Sequence, residues 1–192
     1  MMGNDFNQII GQLEESIKVK EALKSQSNLI KSIADEVVAA FQRGNKVLFC
    51  GNGGSAADAQ HLAAEFAGRF YLDREPLPAL ALHTNSSIVT AISNDYHFDE
   101  VYQRQVRALA VQGDVVIGIS TSGNSRNIIL AVEEAKRKGA ITIAFTGSGG
   151  NLKEIADICL DVVSRDTPRI QEAHITAGHI ICYLVENVLF GG

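Results

Sequence analysis

The sequence predicts an α/β domain in which a parallel β-sheet lies between two layers of helices. Short, unbroken apolar runs, typical of strands buried on both faces, alternate with longer amphipathic segments of helical periodicity. Two of these runs end in glycine- or serine-rich turns that lead directly into a helix. This alternation implies right-handed crossovers and ligand binding beyond the carboxyl ends of the strands. The predicted strands are 47–50, 79–82, 115–119, 141–145 and 158–163.

The composition limits the class of protein. A length of 192 residues suits one domain, and a hydrophobic share of 46% argues against disorder. The net charge of −5 offers no general attraction to nucleic acid or to an anionic membrane. Cys50, Cys159 and Cys182 form neither a disulfide framework nor a thiolate zinc pattern, which fits a reducing compartment. The N-terminus lacks a secretory pattern, and no apolar run approaches the ~20 residues of a membrane helix. We expect a cytoplasmic protein that binds neither nucleic acid nor membranes.

Two helices are predicted before the first strand, within residues 1–44. The second begins near Ser27 and ends at Gly44, a residue type suited to a helix C-cap. The apolar face of the first could pack on the sheet, on the second helix or on another subunit, and we favour another subunit. Residues 1–44 would then form a helical hairpin that contributes to oligomerisation, and 45–192 the core of a single domain. The face of the first helix consists of Phe6, Ile9, Ile10, Leu13 and Ile17.

The stretch 46–70 predicts a strand, a glycine turn and a helix. Gly51, Gly53 and Gly54 allow a sharp turn, and Ser55 is predicted as the helix N-cap, with Asp58 completing a start similar to a capping box. The first amides of such a helix can bind an anion. His61 and Glu65 are four residues apart and share one helical face, which suits two metal ligands or an acid/base pair. The alternative is a solvated His–Glu pair on the helix surface.

A second strand–loop–helix unit covers residues 114–138. Its loop, 120–125, contains four hydroxyl side chains directly before a helix N-terminus, and hydroxyls and amides can bind a phosphate there. The alternative is that these residues only cap the helix and form the turn. No Walker lysine follows either turn, which argues against a nucleotide cofactor. The other helices are predicted within 84–94, at 99–111, at 151–156 and from 168 to about 189.

The last helix carries three polar side chains in an apolar setting: Gln171, His174 and His179. His174 is interpreted as a core histidine whose hydrogen bonds are satisfied. Gly178 costs about 1 kcal/mol relative to alanine within a helix, so it predicts a close approach by a ligand or by another backbone.

Several motifs together resemble one family. They are G-N-G-G-S-A followed by H-x-x-x-E, N-D at 94–95, G-D-V-V-I-G-I-S-T-S-G-N-S at 113–125, and R-I-Q-E-x-H with a later histidine. The chain is similar over nearly its whole length to the bacterial phosphoheptose isomerases of the sugar isomerase (SIS) fold. The resemblance implies a five-stranded parallel sheet of flavodoxin type, in a three-layer α-β-α sandwich. It also implies isomerisation of sedoheptulose 7-phosphate to D-glycero-D-manno-heptose 7-phosphate, the first step toward the heptose of lipopolysaccharide and other surface glycans.

The same resemblance implies the site residues. One zinc ion per subunit would be held by His61, Glu65, Gln171 and His179, and Glu65 and His179 would be catalytic. The implied substrate contacts are Asn52, Gly53, Gly54, Ser55, Glu65, Asn94, Asp95, Ser120, Thr121, Ser122, Ser125 and Gln171.

These residue types suit the chemistry. Moving a proton between C1 and C2 through an enediolate requires a base, a proton source and positive charge near the developing oxyanion. A carboxylate, an imidazole and a divalent metal can supply them. Gln171 and His179, eight residues apart, lie about 12 Å apart along a straight helix and ~80° apart around it. They therefore reach one metal only by leaning together, through an irregular helix or from different subunits. We expect a site at or near a subunit interface in a homotetramer.

A second resemblance points to a different class of protein, a non-catalytic binding protein. V-Y-x-x-Q-V-R-A-L and G-N-S-R are similar to a non-catalytic SIS-domain protein that associates with the bacterial replication initiator. In that relative the positions of Glu65 and His179 hold other residues. Because a buried carboxylate or imidazole without a partner costs free energy, their presence here favours the isomerase.

Overall fold

The computed structural model describes residues 2–191 and contains eight α-helices and five strands. Short 3-10 turns at Leu23–Gln26 and Phe98–Glu100 precede the second and fifth helices. The elements are α1 (Met2–Ala22), α2 (Ser27–Gln42), β1 (Val47–Gly51), α3 (Gly54–Ala67), β2 (Ala79–Ala81), α4 (Ser86–Asp95), α5 (Val101–Leu109), β3 (Val115–Ser120), α6 (Arg126–Arg137), β4 (Ile141–Thr146), α7 (Leu152–Ile155), β5 (Ile158–Asp161) and α8 (Thr167–Phe190).

All five strands pair in parallel, in the order β2-β1-β3-β4-β5. This confirms the predicted sheet of flavodoxin type with helices on both faces. After β1, the chain forms β2 on one side of β1, and β3 then pairs with the opposite side of β1. Ligands of such sheets bind where the strand order reverses, at the carboxyl ends of β1 and β3.

Each strand contributes to two hydrophobic cores because its side chains alternate between the faces of the sheet. Val47 and Phe49 of β1 pack with α2, α3 and α8, whereas Leu48 and Cys50 pack with α5, α6 and α7. On the first face, the ring of Phe66 lies 5.4 Å from that of Phe41 and 6.3 Å from that of Phe49. Burial of every residue of β1 and β3 explains why both strands are continuous apolar runs in the sequence.

The two predicted N-terminal helices are present, and both pack against α8. The apolar face of α2 contributes to the core, with Ile33 and Val37 fully buried. The apolar residues of α1 remain uncovered, with between 53% and 68% of their surface exposed; they are Phe6, Ile9, Ile10, Leu13 and Ile17. A stripe of this size on one helix face is typical of an interaction surface.

The start of α3 differs from the prediction. Gly53, with φ of 54°, occupies the N-cap position, and no side chain caps the helix. Ser55 is not the N-cap; it lies buried inside the helix. The positive φ of Gly53 starts the helix two residues earlier than a cap at Ser55 would. A Cβ on Gly51 would lie 2.3 Å from the carbonyl oxygen of Ser55, so the turn folds back tightly onto its strand.

The last helix, α8, is a core helix that packs against α1, α2 and α3. The helix is 24 residues long and contains an 18-residue window with a mean hydropathy of 1.3, so by length and composition it could span a membrane, and 44% of that window is buried within the protein. A Cβ on Gly178 would lie 2.6 Å from the side chain of Leu62 in α3. The glycine therefore accommodates a neighbouring side chain, and the predicted approach of a ligand or backbone is wrong.

Candidate active site

A polar cavity of about 320 Å³ opens beyond β1 and β3, where the strand order reverses. It brings together residues from the glycine turn, the loop after β3 and the start of α8. The lining residues are Asn52, Gly53, Gly54, Ser55, Ile119, Ser120, Thr121, Ser125, Thr167 and Gln171. Most of the substrate contacts implied by the family resemblance thus share one cavity, although residues 52 and 171 are far apart in the chain.

The loop after β3 is held by its own hydroxyl groups. The Oγ of Ser120 lies 2.9 Å from that of Ser125 and 3.4 Å from that of Ser122. Ser125 is the N-cap of α6, but its hydroxyl does not cap a helix amide. Ser122 does not line this cavity; it lines an adjoining one of about 300 Å³ that shares Thr121 and Thr167.

Asn127 and Tyr102 both form hydrogen bonds to the glycine turn that follows β1. The side-chain amides of Asn52 and Asn127 form two reciprocal hydrogen bonds, each 2.9 Å long. The hydroxyl of Tyr102 in α5 donates to the carbonyl of Gly51 at 2.5 Å. Sequence reasoning missed both residues, and the only local sign of Asn127 was its place directly after G-N-S-R.

Gln171 contacts the first turn of α3. A Cβ built on Gly54 would lie 2.3 Å from the Nε2 atom of Gln171 and 2.9 Å from its Oε1 atom. This approach positions the amide of Gln171 directly above the glycine turn and requires the absence of a side chain at residue 54.

Gly54→Ala should therefore separate binding from stability. Alanine is a better helix former than glycine by about 1 kcal/mol, so the melting temperature should be unchanged or higher. The new methyl group must displace the amide of Gln171, and we expect KM for the sugar phosphate implied by the family resemblance to rise roughly tenfold through loss of that contact. Steady-state kinetics and a thermal melt on the same preparation test this, and an unchanged KM would contradict the proposed placement of Gln171.

Three potential metal ligands converge between α3 and α8. The Nε2 atom of His61 lies 3.1 Å from Oε1 of Glu65 and 2.9 Å from Nε2 of His179. All three donor atoms lie within 4.8 Å of one another. His61 and His179 are 118 positions apart in the chain, so only the packing of α8 on α3 brings them together.

α3 and α8 run in the same direction, and this explains how the three potential ligands meet. Gln171 meets Gly54 near the start of each helix, and His179 meets His61 about two turns later. His61, Glu65 and His179 therefore converge within one chain, without an irregular helix or a second subunit. The participation of Gln171 as a fourth ligand remains a prediction.

The electrostatics suit a metal site. Burial lowers the pKa of His179, and the neighbouring His61 lowers it further. A lowered pKa keeps the imidazole neutral at physiological pH, which is the form that binds metals. Two imidazole nitrogens and one carboxylate oxygen form a donor set that accepts zinc and neighbouring transition metals. The side chains present therefore fit such an ion.

A buried ion pair supports the segment beside this cluster. Glu186 of α8 accepts hydrogen bonds from the backbone amides of Phe70, Tyr71 and Leu72, at 2.7 to 3.0 Å, and from Nε of Arg74 at 3.0 Å. The ring centroid of Phe70 lies 5.7 Å from that of His179. No local pattern in the sequence indicates this pairing, because its members lie on separate elements.

Three predicted substrate contacts line neither cavity: Glu65, which belongs to the cluster between α3 and α8, and Asn94 and Asp95. Asn94 and Asp95 end α4, are exposed to solvent and hydrogen-bond to each other. Neither lines the polar cavity or its neighbour, so their contact with substrate remains a prediction.

His174 has a structural role. It is fully buried, and its Nε2 atom lies 3.0 Å from the carbonyl oxygen of Thr146. Burial lowers its pKa to about 4, so the ring is neutral at physiological pH. The predicted core position is confirmed, but the predicted satisfaction of both ring nitrogens is wrong, because Nδ1 is buried and has no hydrogen-bond partner among residues 2–191.

Comparisons with known proteins identify the family and the fold. A family model described as SIS domain matches residues 13–147. The chain is 57% identical to the phosphoheptose isomerase of Citrifermentans bemidjiense, over 95% of this chain and 96% of that protein. It is 51% identical to that of Aneurinibacillus thermoaerophilus, over 97% and 96%. Among solved structures, a phosphoheptose isomerase from Neisseria gonorrhoeae aligns with a TM-score of 0.90 at 41% identity, covering 94% of this chain and 98% of that one.

Proposed function

The chain belongs to the SIS domain family and, within it, to the phosphoheptose isomerases, and we propose that it converts sedoheptulose 7-phosphate to D-glycero-D-manno-heptose 7-phosphate. The observation that carries this proposal is the convergence of His61, Glu65 and His179 between α3 and α8, the two helices whose first turns line the hydroxyl-rich cavity at the strand ends. A scaffold protein would not need these three groups together. The relatives at about half identity over the full length also favour the isomerase over the replication-associated alternative.

The cavity suits the phosphate end of the substrate. The hydroxyls of Ser120, Thr121 and Ser125 can donate hydrogen bonds to phosphate oxygens, and the N-terminus of α6 adds positive potential. Gly53 and Gly54 of the glycine turn also line this cavity, where backbone amides can bind an anion. In this proposal Ser122 reaches the phosphate from the adjoining cavity, while Asn94 and Asp95 contact the sugar.

Glu65 and His179 provide the proton transfers. A base removes the proton from C1 of the ketose, and the C1–C2 enediolate forms. The proton is returned to C2, while the hydroxyl proton of O1 moves to O2, so that a carbonyl forms at C1. Oε1 of Glu65 and Nε2 of His179 lie 3.1 Å and 2.9 Å from Nε2 of His61, and a carboxylate and a neutral imidazole this close together can share these steps.

We propose that His61, Glu65, Gln171 and His179 hold one zinc ion per subunit. When bound, the ion would supply positive charge near the substrate oxygens. The proposed assembly is a homotetramer in which the uncovered apolar stripe of α1 packs on another subunit. We place the enzyme in the cytoplasm, at the first step of heptose synthesis for lipopolysaccharide or another surface glycan.

The test is direct. The purified protein, loaded with Zn²⁺, should form aldose from sedoheptulose 7-phosphate and contain one zinc per chain by elemental analysis. Removing the ion with a chelator should lower kcat at least tenfold, and adding Zn²⁺ should restore it. A metal-loaded wild type that is inert toward this ketose, or full activity in a metal-free preparation, would contradict the corresponding part of the proposal.

A further inference from the structure

The amide pair between Asn52 and Asn127 fixes the relative position of the two loops that line the cavity. Asn52 belongs to the glycine turn after β1, and Asn127 lies in the first turn of α6, after the serine loop. Each side chain donates one hydrogen bond to the other and accepts one in return, both at 2.9 Å. Asn127 is 2% exposed, so its amide is held within the protein and does not line the cavity.

We infer that Asn127 is a positioning residue, which orients the amide of Asn52 toward the sugar phosphate and sets the separation of the glycine turn from the serine loop. This inference rests on the proposed function, because it takes Asn52 as a substrate contact. The reciprocal pair uses the inner edge of the Asn52 amide. One N–H and one oxygen lone pair of that side chain then remain to meet a ligand.

The chemistry of the pair gives it a recognisable pH signature. An amide presents a donor and an acceptor side by side, whereas an ionised carboxylate presents acceptors only. In Asn127→Asp, one hydrogen bond becomes an oxygen–oxygen contact, whichever way the amide of Asn52 is turned. Protonation of the introduced carboxyl group restores a donor of nearly the same shape.

The first experiment measures KM for sedoheptulose 7-phosphate in the Zn²⁺-loaded enzyme at about pH 8 and about pH 5.5. For Asn127→Asp we expect KM roughly tenfold above wild type at the higher pH, and a clearly smaller ratio at the lower pH. The control is Asn28→Asp, which adds the same charge at an exposed position of α2 and should match wild type at both values. A ratio that does not change with pH overturns the inference. If Asn127→Asp does not fold, the mirror variant Asn52→Asp introduces the same contact from the other side and should show the same pH dependence.

The second experiment is a double-mutant cycle. If Asn127 acts through Asn52, the variant Asn52→Ala/Asn127→Ala should have the KM of Asn52→Ala alone, because nothing remains for Asn127 to orient. Two increases in KM that multiply would show independent roles and overturn the inference. A loss of thermal stability with unchanged KM would show a structural role only.

Failure of the proposed function can be distinguished from failure of the positioning role of Asn127. If wild type is inert toward the ketose, inorganic phosphate serves as the probe. Its stabilising effect on the melting temperature should then require a higher phosphate concentration in Asn127→Asp than in wild type at about pH 8. Equal phosphate dependence in the two proteins would overturn the positioning role as well.

Discussion

Replacing Glu65 by glutamine is expected to lower kcat by roughly 10³-fold while leaving the fold intact. The substitution keeps the shape of the side chain but removes the charge that faces His61 and the ability to accept a proton. Glu65 is partly exposed, with 24% of its side chain accessible, so loss of the charge creates no buried cavity or unpaired group. Steady-state turnover of the Zn²⁺-loaded variant, together with a thermal melt and elemental metal analysis, measures the effect.

The matched control for this variant is Glu133→Gln on the exposed face of α6, which should retain wild-type turnover. His179→Ala extends the test to the other proposed catalytic group and should lower both kcat and bound metal. Substantial activity in Glu65→Gln would exclude its carboxylate as the base and would require another residue to accept the proton.

Replacing Glu186 by alanine is expected to destabilise the protein by about 3–5 kcal/mol. Glu186 and Arg74 are both 2% exposed, and the substitution removes the only negative charge paired with this buried guanidinium, together with the acceptor of its Nε and of three backbone amides. The other two guanidinium nitrogens keep their backbone carbonyl acceptors. For a protein of this length, such a loss corresponds to roughly 10 °C in melting temperature. The segment that holds Phe70 beside His179 should loosen, so activity should fall even below the melting transition.

A double variant provides the control for this prediction. Arg74→Met/Glu186→Met removes both charges and should be more stable than Glu186→Ala, since no buried charge remains unpaired. Equal destabilisation by the two variants would show that packing, rather than the ion pair, is the source of the loss.

The same carboxylate should make stability depend on pH. Burial alone would raise the pKa of Glu186, but the hydrogen bonds from Leu72, Tyr71, Phe70 and Arg74 together lower it below its usual value. A group whose pKa is lowered by folding contributes its stability above its unfolded pKa of about 4.3 and loses it as the pH falls through the folded value. The free-energy difference between wild type and Glu186→Gln, from urea unfolding, should therefore shrink below about pH 4.5. A difference that stays constant with pH would contradict this role for the charge.

Local patterns in the sequence were sufficient for the elements and for a parallel sheet between two helix layers, whereas the flavodoxin-type strand order was implied by the family resemblance. Burial on both faces makes β1 and β3 continuous apolar runs, and amphipathic periodicity identifies the helices, because both signals depend on a few neighbouring residues. Helix geometry alone predicts that His61 and Glu65, four residues apart, are neighbours on one face, and the structure places Nε2 of His61 3.1 Å from Oε1 of Glu65. The N-cap of α3 was mispredicted because the left-handed conformation of Gly53, rather than the hydroxyl of Ser55, begins the helix.

The sequence by itself thus determined the elements, their alternation and the positions of the glycine turn and the serine loop, because each depends on backbone preferences and burial within a short stretch of chain. Family resemblance, not spacing, linked His179 to His61. Only the tertiary structure decided that one chain joins them, that Asn127 pairs with Asn52, and that Glu186 holds Arg74. These contacts depend on how the crossovers position α3, α6 and α8 against one another. No local periodicity in the sequence predicts that arrangement. The free energy that stabilises it comes from burial of surfaces that meet only when the whole domain has folded.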